Sequence, residues 1–285
     1  APAFKYDLVF KKHKVYVFST NFPLYGDMSS RVMSILSTYT PNIEIYSIDE
    51  AFLEFKGFKN YDLEQYGKDI RKKILKWTGI PVSIGFAPTK VLAKVTNRIS
   101  KKFDKKTCGV YVINSKEKRE KALQWLKIED VWGIGYKHSE RLKIHNINKA
   151  YDFIKIPDKW VRKQMSVVGL RLKKELEGES VLSLEENRSP KKAIATTRSF
   201  EKNLTSFEDL KERISTFAIL CSEKLRSQKS NCNSIYVFVK SNKHQRNKSQ
   251  YQNGIVMTLP YSSSSSITIN KYAIEGLKKI YKKGV

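Results

Sequence analysis

Two adjacent carboxylates, Asp49 and Glu50, stand between short apolar runs at positions 43–46 and 52–55. Because both runs are rich in β-branched and aromatic residues, they are predicted to be strands joined by a tight hairpin turn. Paired carboxylates at such a turn are hard oxygen ligands of the kind that Mg²⁺ takes, usually together with substrate phosphates. The pattern therefore predicts metal-assisted phosphate chemistry, with an ordinary polar hairpin turn as the alternative.

A group of basic residues follows Pro88, which is predicted to begin a helix. Four of them recur at positions i, i+4, i+8 and i+11 and therefore share one face of that helix: Lys90, Lys94, Arg98 and Lys101. Like charges in a row repel each other unless an anion meets them, and a triphosphate or a DNA backbone would do so. A merely solvated basic face is the alternative.

A third pattern is the apolar-Gly-apolar-Gly run that contains Gly133 and Gly135, between two predicted helices. The glycines allow a tight turn, and backbone N–H groups at the start of the next helix can hold a phosphate. Lys137 and Arg141 follow at once. These residues predict a helix-hairpin-helix that grips the DNA backbone without reading sequence, and an ordinary glycine turn is the alternative.

Composition supports a polyanionic partner. The chain of 285 residues has 54 Lys and Arg against 28 Asp and Glu, a formal net charge of +26. Nucleic acid is the favoured partner for such a surplus, an anionic membrane surface is the weaker rival, and a merely soluble basic protein is the remaining alternative.

No run approaches the roughly 18 apolar residues of a membrane span. Three isolated cysteines without a Cys/His cluster indicate a reducing compartment and no zinc site.

The elements that must position these residues alternate between helices and strands, which favours an α+β fold with an antiparallel sheet. Strands are predicted at 15–18, 82–87, 194–200, 234–240 and 251–260. Helices are predicted after Asp27, from Asp62 (a capping box with Gln65), at 116–126, 149–155, 158–165 and 168–177, after Ser206 and after Asn270. The serine run at 262–266 is predicted to be a flexible loop.

The stretch from Ser47 to Phe52, Ser-Ile-Asp-Glu-Ala-Phe, resembles a motif of the Y-family (translesion) DNA polymerases and is most similar to their UmuC-like members. Asp130-Val131-Trp132-Gly133-Ile134-Gly135 resembles the helix-hairpin-helix of their thumb. The resemblance implies a multidomain α+β fold with a palm, a helical thumb and a βαββα little finger. The implied boundaries are 1–22 for a remnant of the fingers, 23–115 for the palm, 116–178 for the thumb, 179–192 for a linker and 193–285 for the little finger.

The same resemblance implies a function, namely an error-prone translesion DNA polymerase of the SOS response that binds damaged DNA and works by two-metal nucleotidyl transfer. Asp49 and Glu50 would be catalytic and would bind Mg²⁺, and Lys101 would contact the triphosphate of the incoming nucleotide. DNA would be held by Gly133, Gly135, Lys137, Arg141, Lys240, Lys243 and Arg246. The implied partners are a primer–template, deoxynucleoside triphosphates, a UmuD′-like accessory dimer, the RecA filament and the sliding clamp, in the bacterial cytoplasm at the nucleoid.

The resemblance also implies a strand with a third metal-binding Asp ahead of Ala1 and a closing strand beyond Val285. We therefore expect the chain to be incomplete at both ends, which leaves open whether it is active alone. Two other functions stay open on the residues themselves. A DNA-binding protein without chemistry would be indifferent to replacement of Asp49 or Glu50. A nucleotide cyclase uses a similar acidic hairpin, but it needs no DNA grip.

Overall fold

The computed structural model describes residues 3–58, 60–185, 190–200, 204–242 and 249–283. The chain divides into two compact units, residues 1–187 and residues 188–285. Within the described residues, no helix has both the length and the apolar character needed to cross a membrane.

The first unit contains nine α-helices and four short strands among its described residues. They are α1 (Asp7–Lys12), α2 (Phe22–Leu36), β1 (Ile43–Ile45), β2 (Ala51–Leu53), α3 (Leu63–Thr78), β3 (Ile84–Phe86), α4 (Lys90–Lys102), α5 (Asp104–Thr107), β4 (Val110–Val112), α6 (Lys116–Trp125), α7 (Tyr136–Ile144), α8 (Ala150–Ile154) and α9 (Asp158–Glu177). Single 3₁₀ turns at Ala3–Tyr6 and Ile128–Asp130 complete the order.

The strands of this unit form two separate pairs. Strands β1 and β2 are antiparallel, with Ile43 opposite Leu53 and Ile45 opposite Ala51, so the predicted hairpin is present. Strands β3 and β4 are parallel, with Ile84 opposite Val110. The sequence-based expectation of an antiparallel sheet is wrong for this second pair, because helix α4 crosses over between its strands and returns the chain in the same direction.

Helix α4 is the central element of the unit. Its buried face belongs to the largest apolar core, which also includes residues of α6, α7, α8 and α9: Val91, Leu92, Val95, Ile99, Leu123, Leu142, Phe153, Val161 and Leu176 are among its members. The predicted palm and thumb regions therefore share one core. The helix begins at Lys90, where the Thr89 hydroxyl caps it by accepting a hydrogen bond from the Leu92 N–H, and Pro88 lies just ahead of this cap.

Helix α3 begins as the sequence predicts. The Asp62 carboxylate accepts hydrogen bonds from the Glu64 and Gln65 backbone N–H groups. The Gln65 amide donates to Asp69 rather than back to residue 62, so only the Asp62 half of the expected capping box is present. The helix ends at Gly79, whose positive φ of 73° closes the last turn.

Two predictions near the start of the chain are wrong. The segment 15–18 is not a strand, and Val15, Tyr16, Val17 and Phe18 are exposed. Helix α2 begins at Phe22 rather than after Asp27, because Asn21 caps it and Pro23 suits its first turn. Asp27 lies inside the helix, where it pairs with Arg31 at 2.9 Å.

The described residues of the second unit form two long strands and two helices. They are α10 (Phe207–Ser227), β5 (Cys232–Lys240), β6 (Gln252–Ser263) and α11 (Ser266–Ile280). The strands are antiparallel, with Tyr236 opposite Val256. A small core joins the helices to the sheet through Ala218, Leu225, Val237, Ile269, Ala273 and Ile280. Tyr236 and Phe238 are exposed and stack on each other.

Three further predictions are wholly or partly wrong in this unit. The segment 194–200 forms no strand, and it lies instead along α10, whose Lys224 side chain donates to the Ala195 carbonyl. The loop predicted at 262–266 is shorter than expected, because β6 continues to Ser263 and α11 begins at Ser266, which leaves only Ser264 and Ser265 as the connection. Asn270 therefore lies inside α11, and Ser265 is the residue that precedes the helix.

Candidate active site

The β1–β2 turn presents the two predicted carboxylates. The backbone N–H groups of Tyr46 and Ser47 both donate to the Glu50 carbonyl at 3.0 Å, and these bonds close the turn. The Ser47 hydroxyl donates to Asp49 Oδ1 at 2.6 Å and orients that side chain. Asp49 is exposed and Glu50 is 42% exposed, so solvent and substrate can reach both groups.

Glu50 is already paired within the protein. Lys94 Nζ, on helix α4, lies 2.5 Å from Glu50 Oε1. The same ammonium group lies 5.2 Å from the centre of the Tyr46 ring and 5.9 Å from the centre of the Trp132 ring. Lys94 therefore balances the Glu50 charge from a position flanked by two aromatic faces, which attract a cation.

The basic stripe of α4 is mostly neutralised. Lys90 pairs with the buried Glu44 at 2.6 Å, and Arg98 pairs with Asp130 at 2.6 Å. The expectation that these cations need an external anion is therefore wrong for Lys90, Lys94 and Arg98. Lys101 is exposed and makes no hydrogen bond or ion pair to the described residues, so its charge is available to a ligand.

A groove of about 320 Å³ lies beside the hairpin. Its charged and aromatic lining residues are Glu50, Lys94, Arg98, Lys101, Asp130 and Trp132. The structure thus brings Glu50 and Lys101 to one groove, as a site for a metal-bound triphosphate requires. Asp49 stands at the hairpin tip and is not among the lining residues.

The predicted glycine turn lies between the 3₁₀ turn and helix α7. Gly133 has a φ of +94° and so occupies a conformation that favours glycine, whereas Gly135 precedes the helix with ordinary extended angles. Both glycines and Lys137 are exposed. Arg141 is used internally, because its Nη1 donates to the Gln164 carbonyl at 2.9 Å, although a guanidinium retains other donors.

The predicted DNA contacts of the second unit are only partly described. Lys240 is exposed at the end of β5, opposite Gln252. Lys243 and Arg246 lie outside the described residues.

The donor set at the hairpin fits Mg²⁺. Two exposed carboxylates give hard oxygen ligands, and Mg²⁺ ordinarily uses one or two carboxylates while water and substrate phosphates supply the rest. No group of three or more Asp, Glu, His or Cys side chains that could hold a metal occurs among the described residues. If Mg²⁺ binds at this hairpin, Asp49 and Glu50 are the side chains that would hold it.

Sequence reasoning missed Tyr46, Asp130 and Trp132 as parts of the site. Tyr46 belongs to a predicted strand, and the other two residues belong to the glycine motif. Trp132 Nε1 donates to the Tyr46 hydroxyl at 3.2 Å. The glycine motif could have indicated this role for Trp132, because a large aromatic residue just before a glycine turn is expected to pack against a neighbouring element.

Comparison with known proteins is consistent with this geometry. The impB/mucB/samB family model matches residues 5–98, and the model of the family's C-terminal domain matches residues 191–285. The chain is 37% identical over 284 residues to protein UmuC of Salmonella typhimurium, an alignment that covers 99% of this chain and 67% of that protein. It is 30% identical over 285 residues to protein MucB of the same organism, covering 100% and 68% respectively.

Solved structures show the same fold. A Y-family DNA polymerase chimera of Dbh and Dpo4 superposes with a TM-score of 0.68 at 22% identity, covering 90% of this chain and 71% of the chimera. The insertion ternary complex of Dbh DNA polymerase gives a TM-score of 0.52 at 22% identity, covering 98% and 76%. By its sequence relatives and its fold, the chain belongs to the impB/mucB/samB family, the UmuC-like branch of the Y-family DNA polymerases.

Proposed function

We propose that this chain carries the nucleotidyl-transfer centre of an error-prone translesion DNA polymerase that acts on damaged DNA in the SOS response. The observation that supports the proposal best is the hairpin that presents Asp49 and Glu50 next to a groove in which Lys101 makes no ion pair with the described residues. The chain spans about two thirds of the length of its curated relatives, so the activity is proposed for the protein that contains it.

Each residue has a separate task in this proposal. Asp49 and Glu50 hold Mg²⁺, which when bound supplies Lewis acidity toward the triphosphate and lowers the pKa of the primer 3′-hydroxyl. Lys101 binds triphosphate oxygens and so orients the α-phosphorus toward that hydroxyl. Lys94 pairs with the Glu50 carboxylate and so restrains that side chain at the groove. In the overall reaction, the 3′-oxygen bonds to the α-phosphorus, the bond from the α-phosphorus to the bridging oxygen breaks to release pyrophosphate, and the hydroxyl proton passes to solvent.

The proposed contacts with the DNA backbone lie outside the carboxylate hairpin. We propose that the exposed turn at Gly133 and Gly135, with Lys137 and Arg141 on helix α7, binds backbone phosphates through N–H groups and cations. Lys240, Lys243 and Arg246 would bind a second stretch of backbone. From family membership we also propose that a UmuD′-like dimer, the RecA filament and the sliding clamp are partners. We propose that the protein acts at the nucleoid.

A primer-extension assay tests the catalytic assignment. A labelled primer–template with Mg²⁺ and the four deoxynucleotides is incubated with this chain, and with this chain joined to the UmuC segments that lie outside the alignment. Asp49→Ala and Glu50→Ala are expected to lower extension by at least about 100-fold, because even outer-shell partners of a metal are worth 10- to 100-fold. The Kd for DNA should stay unchanged.

Asp27→Ala is the matched control, because Asp27 is a surface carboxylate that pairs with Arg31 within helix α2, which contains none of the proposed catalytic residues. It should leave extension unaltered. If Asp49→Ala extends primers at the wild-type rate, the catalytic assignment is wrong. If both forms of the protein bind DNA tightly and neither extends it, the alternative of a DNA-binding protein without chemistry is favoured.

A further inference from the structure

Trp132 occupies a position that the family assignment does not explain. It lies in the loop between the 3₁₀ turn and helix α7, where its neighbours Val131 and Ile134 are buried in the core. Its own ring faces the acidic hairpin, edge-on to Tyr46 with centroids 5.5 Å apart and tilted to Phe52 at 5.8 Å. The glycine turn is thus docked on the two strands that carry the carboxylates.

Two chains of contacts lead from Trp132 to Glu50. In the first, Trp132 Nε1 donates to the Tyr46 hydroxyl at 3.2 Å, and the Tyr46 backbone N–H donates to the Glu50 carbonyl at 3.0 Å. In the second, the Trp132 ring flanks the Lys94 ammonium group, which pairs with the Glu50 carboxylate at 2.5 Å. Trp132 is therefore connected to the Glu50 backbone through Tyr46 and to the Glu50 carboxylate through Lys94.

The loop that contains Trp132 has a second attachment, an ion pair with helix α4. Asp130 pairs with Arg98 of helix α4 at 2.6 Å, one turn further along the helix than Lys94. Residues 130 and 132 therefore attach to α4 and to the hairpin, and Gly133, with its φ of +94°, turns the chain directly into the exposed segment that precedes α7. An ion pair and an aromatic cluster that flank one short loop fix its orientation as well as its position.

We propose that Trp132 is a positioning residue for nucleotidyl transfer. It joins the turn at residues 133–135 to the carboxylate hairpin, so that a DNA phosphate held by the turn stands at a fixed distance from Asp49 and Glu50. The inference rests on the proposed function, because it assigns that turn to DNA and that hairpin to catalysis. Its physical basis is that small misplacements of reacting groups cost large factors in rate, as much as about 100-fold for about 1 Å.

The alternative role for Trp132 is direct stacking on DNA. Its ring is half-buried, so part of it faces solvent. Stacking predicts that its removal weakens DNA binding, because base–aromatic contacts contribute to affinity. Positioning predicts unchanged affinity and a slower chemical step, so the two roles are separable by measurement.

The first test needs no catalysis. Trp132→Phe keeps an aromatic ring but removes the N–H donor, and Tyr46→Phe removes the acceptor of the same bond. Hydrogen–deuterium exchange of the free protein is expected to accelerate about fivefold in peptides that cover 43–55 for each variant. The double variant should show little further change, because both substitutions break one interaction. Trp160→Phe is the control, since Trp160 packs against His145 away from the hairpin.

The second test is kinetic. Trp132→Phe is expected to lower kcat for single-nucleotide addition about tenfold while the KM for deoxynucleotide and the Kd for primer–template stay within about twofold. A raised Kd with unchanged kcat would overturn the proposal in favour of stacking. Unchanged exchange at 43–55, or faster exchange throughout the protein, would overturn it as well. If neither the wild-type chain nor its lengthened form extends primers, the proposed function is contradicted, whereas the exchange result still tests whether Trp132 holds the hairpin.

Discussion

At the scale of single residues, the four cations on one face of helix α4 have different surroundings. Glu44, Glu50 and Asp130 neutralise Lys90, Lys94 and Arg98. Lys101 makes no such pair with the described residues. The three paired cations hold the hairpin and the glycine turn against α4, which leaves Lys101 as the member of the stripe best placed to bind a phosphate.

Lys101→Met tests that assignment. Because hydrogen bonds to charged groups contribute about 1.5–3 kcal/mol, the KM for deoxynucleotide is expected to rise about 10- to 100-fold in steady-state extension assays. Lys102→Met removes the same charge from the next residue and should change KM less than about twofold. Equal effects of both substitutions would mean that overall charge, rather than a contact at Lys101, governs nucleotide binding.

The sequence predicts residue chemistry well where it is local. The adjacency of Asp49 and Glu50 and the positive φ at Gly133 both follow from short motifs, and the structure agrees with the hairpin and with the glycine conformation. The partners of Lys90 and Lys94 could not be predicted, because they lie more than 40 positions away in sequence. Ion pairs of that kind depend on how the hairpin packs on α4, and periodicity along one helix contains no information about it.

At the scale of elements, a buried carboxylate joins two helices. Glu175, near the end of α9, is fully buried, and Oε2 accepts from the Val91 N–H while Oε1 accepts from the N–H groups of Val181 and Leu182. The Thr89 hydroxyl donates to the Glu175 carbonyl at 2.7 Å. The charge is stabilised by these N–H groups and by the amino-terminal end of α4, where the helix dipole favours an anion.

Glu175→Gln is predicted to destabilise the first unit. The amide places an N–H₂ donor where one of the carboxylate oxygens accepted hydrogen bonds, so at least one buried N–H loses its partner. The free energy of unfolding should fall by about 1–3 kcal/mol in urea titrations. Glu179→Gln, at an exposed residue paired with Lys174, should change it by less than about 0.5 kcal/mol. Similar losses in both variants would show that the buried network is not the cause.

Helices were predicted more reliably than strands because their stabilising contacts are local. Asp62 caps α3 and Ser206 caps α10, as their positions before apolar-periodic runs indicate. Segments 15–18 and 194–200 are predicted from their apolar residues to be strands, but they form none. A strand also needs a neighbouring strand with which to pair. Conversely, Ser263 belongs to β6 because it pairs with Cys232 of β5. This strand pairing overrides the preference for a loop that the serine-rich composition indicates.

At the scale of the whole molecule, the charge surplus of +26 bears on DNA affinity. The carboxylates of Glu44 and Glu175 are buried, whereas cations such as Lys137 and Lys240 are exposed. Exposed cations bind phosphates by displacing condensed counterions, which makes affinity fall steeply with salt.

The Kd for primer–template DNA is therefore predicted to depend strongly on salt. Between 50 and 200 mM salt it should rise about 10³- to 10⁵-fold if about 6–10 phosphates are contacted, as measured by fluorescence anisotropy. Lys240→Gln should reduce the slope of log K against log salt by about 0.9. Lys211→Gln, at a residue already paired with Glu208, should leave the slope unchanged. A slope near zero for the wild type would contradict phosphate binding.

The pairing of cations around the groove has a consequence for the binding of free anions. Among the lining residues, the carboxylates of Glu50 and Asp130 oppose the cations Lys94, Arg98 and Lys101, so a surplus of about one positive charge faces the ligand. Free pyrophosphate carries several negative charges and meets little to retain it there. We therefore expect free polyphosphates without a metal ion to be weak inhibitors of the proposed activity, because a surplus of about one positive charge offsets little of their negative charge.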